Sequence, residues 1–117
     1  MIEEISKFII DFSSYNPEHI PQMEEMLFRS VGYSQYVGTL QNQAEADYSK
    51  YYESCLMNLS GDSETETTRR AKLNSWTAEK KRAWQDLKLL SGNLKKVQMS
   101  LMQAIKTRRD ERADSVR

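Results

Sequence analysis

The sequence contains few of the residues that interrupt helices or build strands. Its 117 residues include four glycines and two prolines, and runs of alternating Val, Ile and Thr are absent. Without such runs the sequence carries no signal for strands or hairpins. A mean hydropathy of −0.75 and a charged fraction of 29% are typical of amphipathic helices with solvated outer faces. The composition therefore predicts an all-α chain, and the length predicts a single domain.

Cysteine and histidine are also scarce. Cys55 is the only cysteine and His19 the only histidine, so neither a disulfide framework nor a metal-binding cluster is expected. The motifs GxxxxGK[ST], GxGxxG and GxSxG do not occur, which removes the usual phosphate loops and nucleophile elbows. We therefore expect a protein that is not an enzyme and has no cofactor, with Cys55 packed as a small hydrophobe.

No apolar run in the sequence approaches the length of a membrane span. The sequence begins MIEEISKFIIDF, with Glu3 and Glu4 where a secretory signal would carry positive charge. A single thiol also suits a reducing compartment. We expect a cytoplasmic protein without a membrane partner or a small-molecule substrate.

The net charge of zero hides a division between the two halves of the sequence. Residues 1–61 contain nine acids and three bases, a net charge of −6, whereas residues 62–117 contain fourteen bases and eight acids, a net charge of +6. Such asymmetry is expected of an acidic helix packed on a basic one, of head-to-tail self-assembly, or of a basic arm that binds polyanions.

The N-terminal region predicts two short helices within residues 1–31. Helical spacing of apolar residues indicates the first over 2–13, and Pro21 suits the first turn of a second helix that reaches about residue 31. The apolar residues of the first helix are Ile2, Ile5, Ile9 and Phe12.

Residues 32–110 predict a long antiparallel helical hairpin. Apolar residues keep a three-four spacing from Tyr33 to Leu59, and Gly61 then suits a C-terminal cap. Ser63 followed by Glu66 has the form of a capping box, so a turn is expected near 60–63. The similar lengths of 33–59 and 63–91 favour antiparallel pairing. The apolar period of the second helix ends after Ala104, and residues 111–117 are expected to be a flexible basic tail.

The second helix of the hairpin carries a seven-residue repeat, which is typical of a left-handed coiled-coil seam. Lys80 is the only charged residue at a seam position, and Gly92 leaves open whether the helix is straight or kinked. Trp76 is expected to anchor this packing, with Trp84 beside it. The candidate core or oligomer seam consists of Leu73, Trp76, Leu87, Leu90, Leu94, Val97 and Leu101.

Outside the seam, basic residues recur on one edge of the same helix. Phosphate-backbone binding requires fixed positive charge without base-reading geometry, so this row is a candidate nucleic-acid site. Two alternatives stand beside it: such positions are solvated and charged in any coiled coil, and Glu45, Asp47 and Glu53 are available as ion-pair partners. The candidate nucleic-acid ligands are Arg69, Arg70, Lys81, Arg82, Lys88, Lys95 and Lys96.

The segments YSKYYESCLMNLSG and SLMQAIKTRRDE, on either side of a glycine-containing turn, resemble the phage recombination-mediator proteins of the UvsY type. The resemblance extends loosely over residues 24–111. It implies a small helical protein that forms rings, binds single-stranded DNA through basic residues and helps to load a recombinase. Arg69, Arg70 and the row from Lys81 to Lys96 would then contact DNA. The residues after Gly61 are acidic here, whereas that family's turns tend to be basic.

Three functions fit these observations. The first is an oligomeric accessory protein that binds single-stranded nucleic acid, a recombinase, or both. The second is a protein-binding inhibitor or adaptor that acts through its helical surface, such as a phage anti-defence protein in the host cytoplasm. The third is a structural coiled-coil subunit. The same amphipathic helices serve all three.

We expect the isolated protein to assemble beyond a monomer, because the Leu87–Leu101 seam and the tyrosines of the first hairpin helix present more apolar surface than one hairpin buries. Sedimentation equilibrium at tens of micromolar would measure this directly. A compact monomer at that concentration would contradict the prediction and indicate a closed four-helix globule.

Overall fold

A computed structural model describes residues 1–14, 19–59 and 65–116 of the chain, with side chains up to residue 113. It contains three α-helices: α1 (Ile2–Ser14), α2 (Ile20–Leu59) and α3 (Glu66–Val116). No strand occurs in the described residues. The long helices α2 and α3 pack against each other in antiparallel orientation. The predicted all-α class and helical hairpin are therefore confirmed.

Helix α1 agrees with the sequence prediction to within one residue. It buries Ile5 and Phe8 on one face. Its last turn is closed by two serine hydroxyls: Ser13 donates to the Ile10 carbonyl at 2.6 Å and Ser14 to the Asp11 carbonyl at 3.2 Å. These bonds occupy two of the carbonyls that a helix C-terminus leaves without backbone donors.

Helix α2 begins at Ile20, with Pro21 in its first turn as predicted, but it does not end near residue 31. The predicted boundary between short N-terminal helices and the hairpin is wrong, because one continuous helix passes through Gly32 and Gly38. Each glycine costs a helix about 1 kcal/mol relative to alanine. Buried Ser30 and Val37 lie close to these glycines and anchor this stretch in the core, and their packing outweighs that cost.

Helix α3 begins after Thr65, whose side-chain oxygen accepts a hydrogen bond from the backbone N–H of Thr68 at 3.3 Å. Thr65 is therefore the N-cap. The helix continues without interruption through Gly92 to Val116. The predicted turn, with its Gly61 cap and Ser63 capping box, lies outside the described residues.

Residues 111–116, which belong to the predicted flexible basic tail, are helical. Arg, Glu and Ala have high helix propensity, and adding a residue to an existing helix is far easier than starting one. The helix therefore extends past Ile105, the last buried apolar residue among its described side chains.

The chain divides into two compact units, which are described separately. Unit 1 consists of Met1–Gly38 and Leu90–Arg117, and unit 2 of Thr39–Leu89. All three helices contribute to the core of unit 1. Gln98 of α3 donates to the Ser30 carbonyl at 3.1 Å and to the Ser34 hydroxyl at 2.7 Å, which fixes the register against α2. The buried core residues are Ile5, Phe8, Ile20, Met23, Val37, Leu94, Val97, Leu101 and Ile105.

The core of unit 2 is smaller. Cys55 and Leu59 of α2 pack with Leu73 of α3, and Tyr52 covers this cluster. Thr77 is also buried, and its hydroxyl donates to the Leu73 carbonyl at 2.8 Å. The prediction that Cys55 is a small buried residue is confirmed.

Leu94→Asp is expected to lower the free energy of unfolding by about 3 kcal/mol or more, because Leu94 is 0% exposed and a carboxylate there would be desolvated without a partner. Leu89 is 66% exposed, so Leu89→Asp should change that free energy by about 0.5 kcal/mol or less. Urea unfolding followed by circular dichroism measures both. Equal effects would mean that the inward face of α3 is assigned incorrectly.

Candidate nucleic-acid interface

In unit 2, the inward face of α3 differs from the predicted seam by one residue. The seven-residue repeat places Trp76 inside, but Trp76 is 43% exposed, whereas Thr77 is 1% exposed. Thr77 is acceptable inside because its hydroxyl bonds to the Leu73 carbonyl and leaves no donor unsatisfied. Trp84, the second tryptophan, is half-buried. The single chain therefore does not bury Trp76 as a seam residue.

The remaining candidate seam residues all face the core to some degree. Leu73 is buried in unit 2, and Leu87 is half-buried there. In unit 1, Leu90 is half-buried against the core cluster. The buried seam residues of unit 1 are Leu94, Val97 and Leu101.

The basic row of α3 lies on the solvent side in both units. In unit 2, Lys81, Arg82 and Lys88 are exposed, and the Lys88 ammonium lies 5.7 Å from the centroid of the Trp84 ring. In unit 1, Lys95 and Lys96 are exposed. Among the described residues, none of these five side chains forms an ion pair.

In the described part of the chain, no acid of α2 forms an ion pair with the basic row. The pairing that the sequence leaves open, with Glu45, Asp47 and Glu53, is not formed in the described part of the chain. Two acids of α3 itself do lie near the row in unit 2, since Glu79 and Asp86 line the same surface depression as Lys81 and Arg82. Two cations and two carboxylates therefore line this depression, and their charges cancel.

Arg69 and Arg70 are engaged within the chain. Arg69 is half-buried and its guanidinium donates to the Leu59 carbonyl at 3.3 Å, so it caps the C-terminus of α2. Arg70 pairs with Glu66, one turn earlier on α3, at 3.4 Å. The sequence offers no direct signal for the Arg69 contact, because it joins residues of two different helices.

Aromatic side chains form a stack inside unit 2. The rings of Tyr48 and Trp84 lie 5.9 Å apart with an angle of 18° between their planes, and Tyr52 contacts Tyr48 at 6.0 Å. The Trp84 Nε1 atom is buried without a hydrogen-bond partner in the described structure. By contrast, Trp76 makes no ring or cation contact with any described residue.

Unit 1 contains a groove between α1 and α2 that sequence analysis missed. It has a volume of about 780 Å³, and its charged lining consists of Glu4, Lys7, Asp11, Glu25 and Arg29. The Arg29 guanidinium lies 5.2 Å from the Phe8 ring centroid and donates to the Tyr33 hydroxyl at 3.1 Å. Carboxylates outnumber cations in this groove.

The described residues contain no group of His, Cys, Asp and Glu side chains arranged to hold a metal ion. None of the described helices combines the length and the apolar character that crossing a membrane requires. No protein-family model, curated protein or solved structure matches the chain.

Arg69→Ala is expected to lower the free energy of unfolding by about 1 kcal/mol, because the Leu59 carbonyl loses a partly buried donor. Arg70→Ala removes only an exposed pair and should cost about 0.5 kcal/mol or less. Chemical denaturation of both variants checks the difference. Unchanged stability of the Arg69 variant would show that Arg69 does not act as a cap.

Proposed function

We propose that this chain is a non-enzymatic accessory protein that binds single-stranded nucleic acid by its phosphate backbone. The observation that carries the proposal is the exposed basic row of α3, whose members form no ion pair among the described residues. The proposed phosphate ligands are Lys81, Arg82 and Lys88 in unit 2, and Lys95 and Lys96 in unit 1.

The lack of ion pairing matters for the energetics of binding. A lysine that already holds a carboxylate exchanges one partner for another when a phosphate arrives, so it gains little. An exposed lysine without an anionic partner instead contributes to binding through the release of counterions from the nucleic acid. Contacts of this kind position a strand without reading its bases. The expected binding is weak, sensitive to salt and nearly independent of sequence.

Arg69 and Arg70 are left out of the proposed ligand set. Arg69 already donates to the Leu59 carbonyl and Arg70 to Glu66. A phosphate would have to displace these contacts, and displacing the Arg69 contact would uncap α2. The proposed site is therefore smaller than the one that the sequence predicts.

The proposal includes a protein partner and self-association, in line with the resemblance to recombination mediators. Residues 1–61 carry a net charge of −6, so this half of the chain repels nucleic acid. Its acidic side chains suit contact with a basic protein surface, such as that of a recombinase or of another copy.

A second candidate function is a protein-binding adaptor or inhibitor. It is favoured by the groove of unit 1, where Glu4, Asp11 and Glu25 outnumber Lys7 and Arg29. Such a groove suits a basic segment of another protein. Under this alternative, the exposed lysines of α3 serve solubility, as they do on many helices.

The main test reverses three charges of the row together, as Lys81→Glu, Lys88→Glu and Lys95→Glu. Each phosphate contact on single strands contributes about 0.7 to the slope of log K against log salt concentration, so losing three should flatten the slope by about 2. Fluorescence anisotropy of a labelled oligothymidylate, titrated at several salt concentrations, measures the slope. Affinity at low salt should fall in parallel.

A second triple, Lys7→Glu, Lys50→Glu and Lys106→Glu, is the matched control. It changes the net charge by the same amount at exposed positions outside the row. We expect it to lower affinity less and to leave most of the slope in place. Equal loss in both triples would indicate a general charge effect and remove the proposed site. Absence of binding at low salt would favour the adaptor function.

A further inference from the structure

Trp76 and Lys80 of α3 both depart from the seven-residue repeat, and they lie one helical turn apart. Trp76 occupies a seam position but is 43% exposed, and Lys80 occupies the next seam position with a charged side chain. Residues four apart on a helix are neighbours on its surface, about 6 Å apart at their Cβ atoms. The exposed indole and the ammonium group therefore belong to one patch within unit 2.

Along α3, basic residues outnumber acidic ones around this patch. Lys72 lies one turn before Trp76 and Lys80 one turn after it, while Glu79 is the only acid within one turn of Trp76 on α3. Lys80 is exposed and forms no ion pair in the part of the chain that the structure describes. An anion that approaches the indole would therefore meet an available cation beside it.

Trp84, on the same helix, is a tryptophan that packs within the chain. One face of its ring stacks on Tyr48, and the Lys88 ammonium lies over the ring as well. Trp76 has no such partner among the described residues, and nearly half of its surface is exposed to water. Burial in the core does not account for an indole at this position.

We infer that Trp76 is a stacking platform for one base of a bound single strand, with Lys80 holding the adjacent phosphate. The inference rests on the proposed function and adds to it a contact with the base. Aromatic side chains stack on any base because every base has a π face, so the contact adds affinity without sequence preference. A lysine beside the ring supplies the electrostatic part of the same contact. One site thus accounts for both departures from the repeat.

The test compares two oligomers of equal length and charge, an oligothymidylate and an abasic deoxyribose-phosphate strand. Trp76→Ala should weaken binding of oligothymidylate by about tenfold, near the lower end of the range for base stacking, and leave the abasic strand unaffected. The salt slope should not change, because no phosphate contact is lost. Phe28→Ala is the matched control, since Phe28 is an 81% exposed aromatic residue in unit 1, and it should leave both affinities unchanged.

Lys80→Gln should show the opposite pattern. It removes one phosphate contact, so the salt slope should flatten by about 0.7 for both strands. The selective loss of oligothymidylate binding should be absent. The two variants therefore separate the base contact from the phosphate contact.

Tryptophan fluorescence gives an independent measurement. The chain has two tryptophans, so in a Trp84→Phe background Trp76 is the only one. Oligothymidylate should quench its emission, and the abasic strand should not. Oligothymidylate binding without quenching, together with native affinity of Trp76→Ala, would overturn the stacking site and leave phosphate binding in place. If the protein changes the fluorescence anisotropy of neither labelled strand, no nucleic acid is bound. The proposed function then fails, and the stacking site fails with it.

Discussion

The rotation of α3 about its own axis is set by the few side chains that it buries, and every proposed contact depends on that rotation. In unit 2, Leu73 and Thr77 face α2, which turns Trp76 and Lys80 toward solvent. A rotation by one residue, about 100°, would bury Trp76 and expose Thr77. In unit 1, Leu94 and Leu101 face the core, and Lys95 and Lys96 are therefore exposed to solvent.

The sequence was sufficient to predict the all-α class, the extent of α1 and the antiparallel pairing of the long helices. It did not predict the inward face of α3 in unit 2. A repeat of apolar residues treats threonine as a surface residue and tryptophan as a core residue. The hydroxyl of Thr77 donates to the Leu73 carbonyl, so Thr77 can be buried without an unsatisfied donor. A pattern of apolar residues does not predict this burial. Lys80 was the one indication that the repeat does not describe this stretch. The continuity of α2 was not predicted either: a boundary was expected after residue 31, but the helix passes through Gly32 and Gly38 because packing outweighs the cost of glycine.

The residues of the candidate site could be predicted from the sequence, but which of their charges form ion pairs within the chain could not. Whether Lys81 or Lys88 pairs with Glu45 or Glu53 depends on which edges of the two helices come together, and composition says nothing about that. The contacts of Arg69 with Leu59 and of Arg29 with Phe8 likewise join different helices. Periodicity along one helix cannot reveal contacts of this kind, which arise only when α1, α2 and α3 pack.

The buried thiol of Cys55 has a consequence for how the motion of unit 2 can be observed. A thiol reacts with a disulfide reagent only as a solvent-accessible thiolate, so Cys55 must first leave its contacts with Leu59 and Leu73. As the only cysteine in the chain, it gives a single labelling signal. Where opening and closing are fast relative to labelling, the rate of labelling reports the equilibrium population of the opened form. The local opening of unit 2 can therefore be followed under native conditions without introducing a probe.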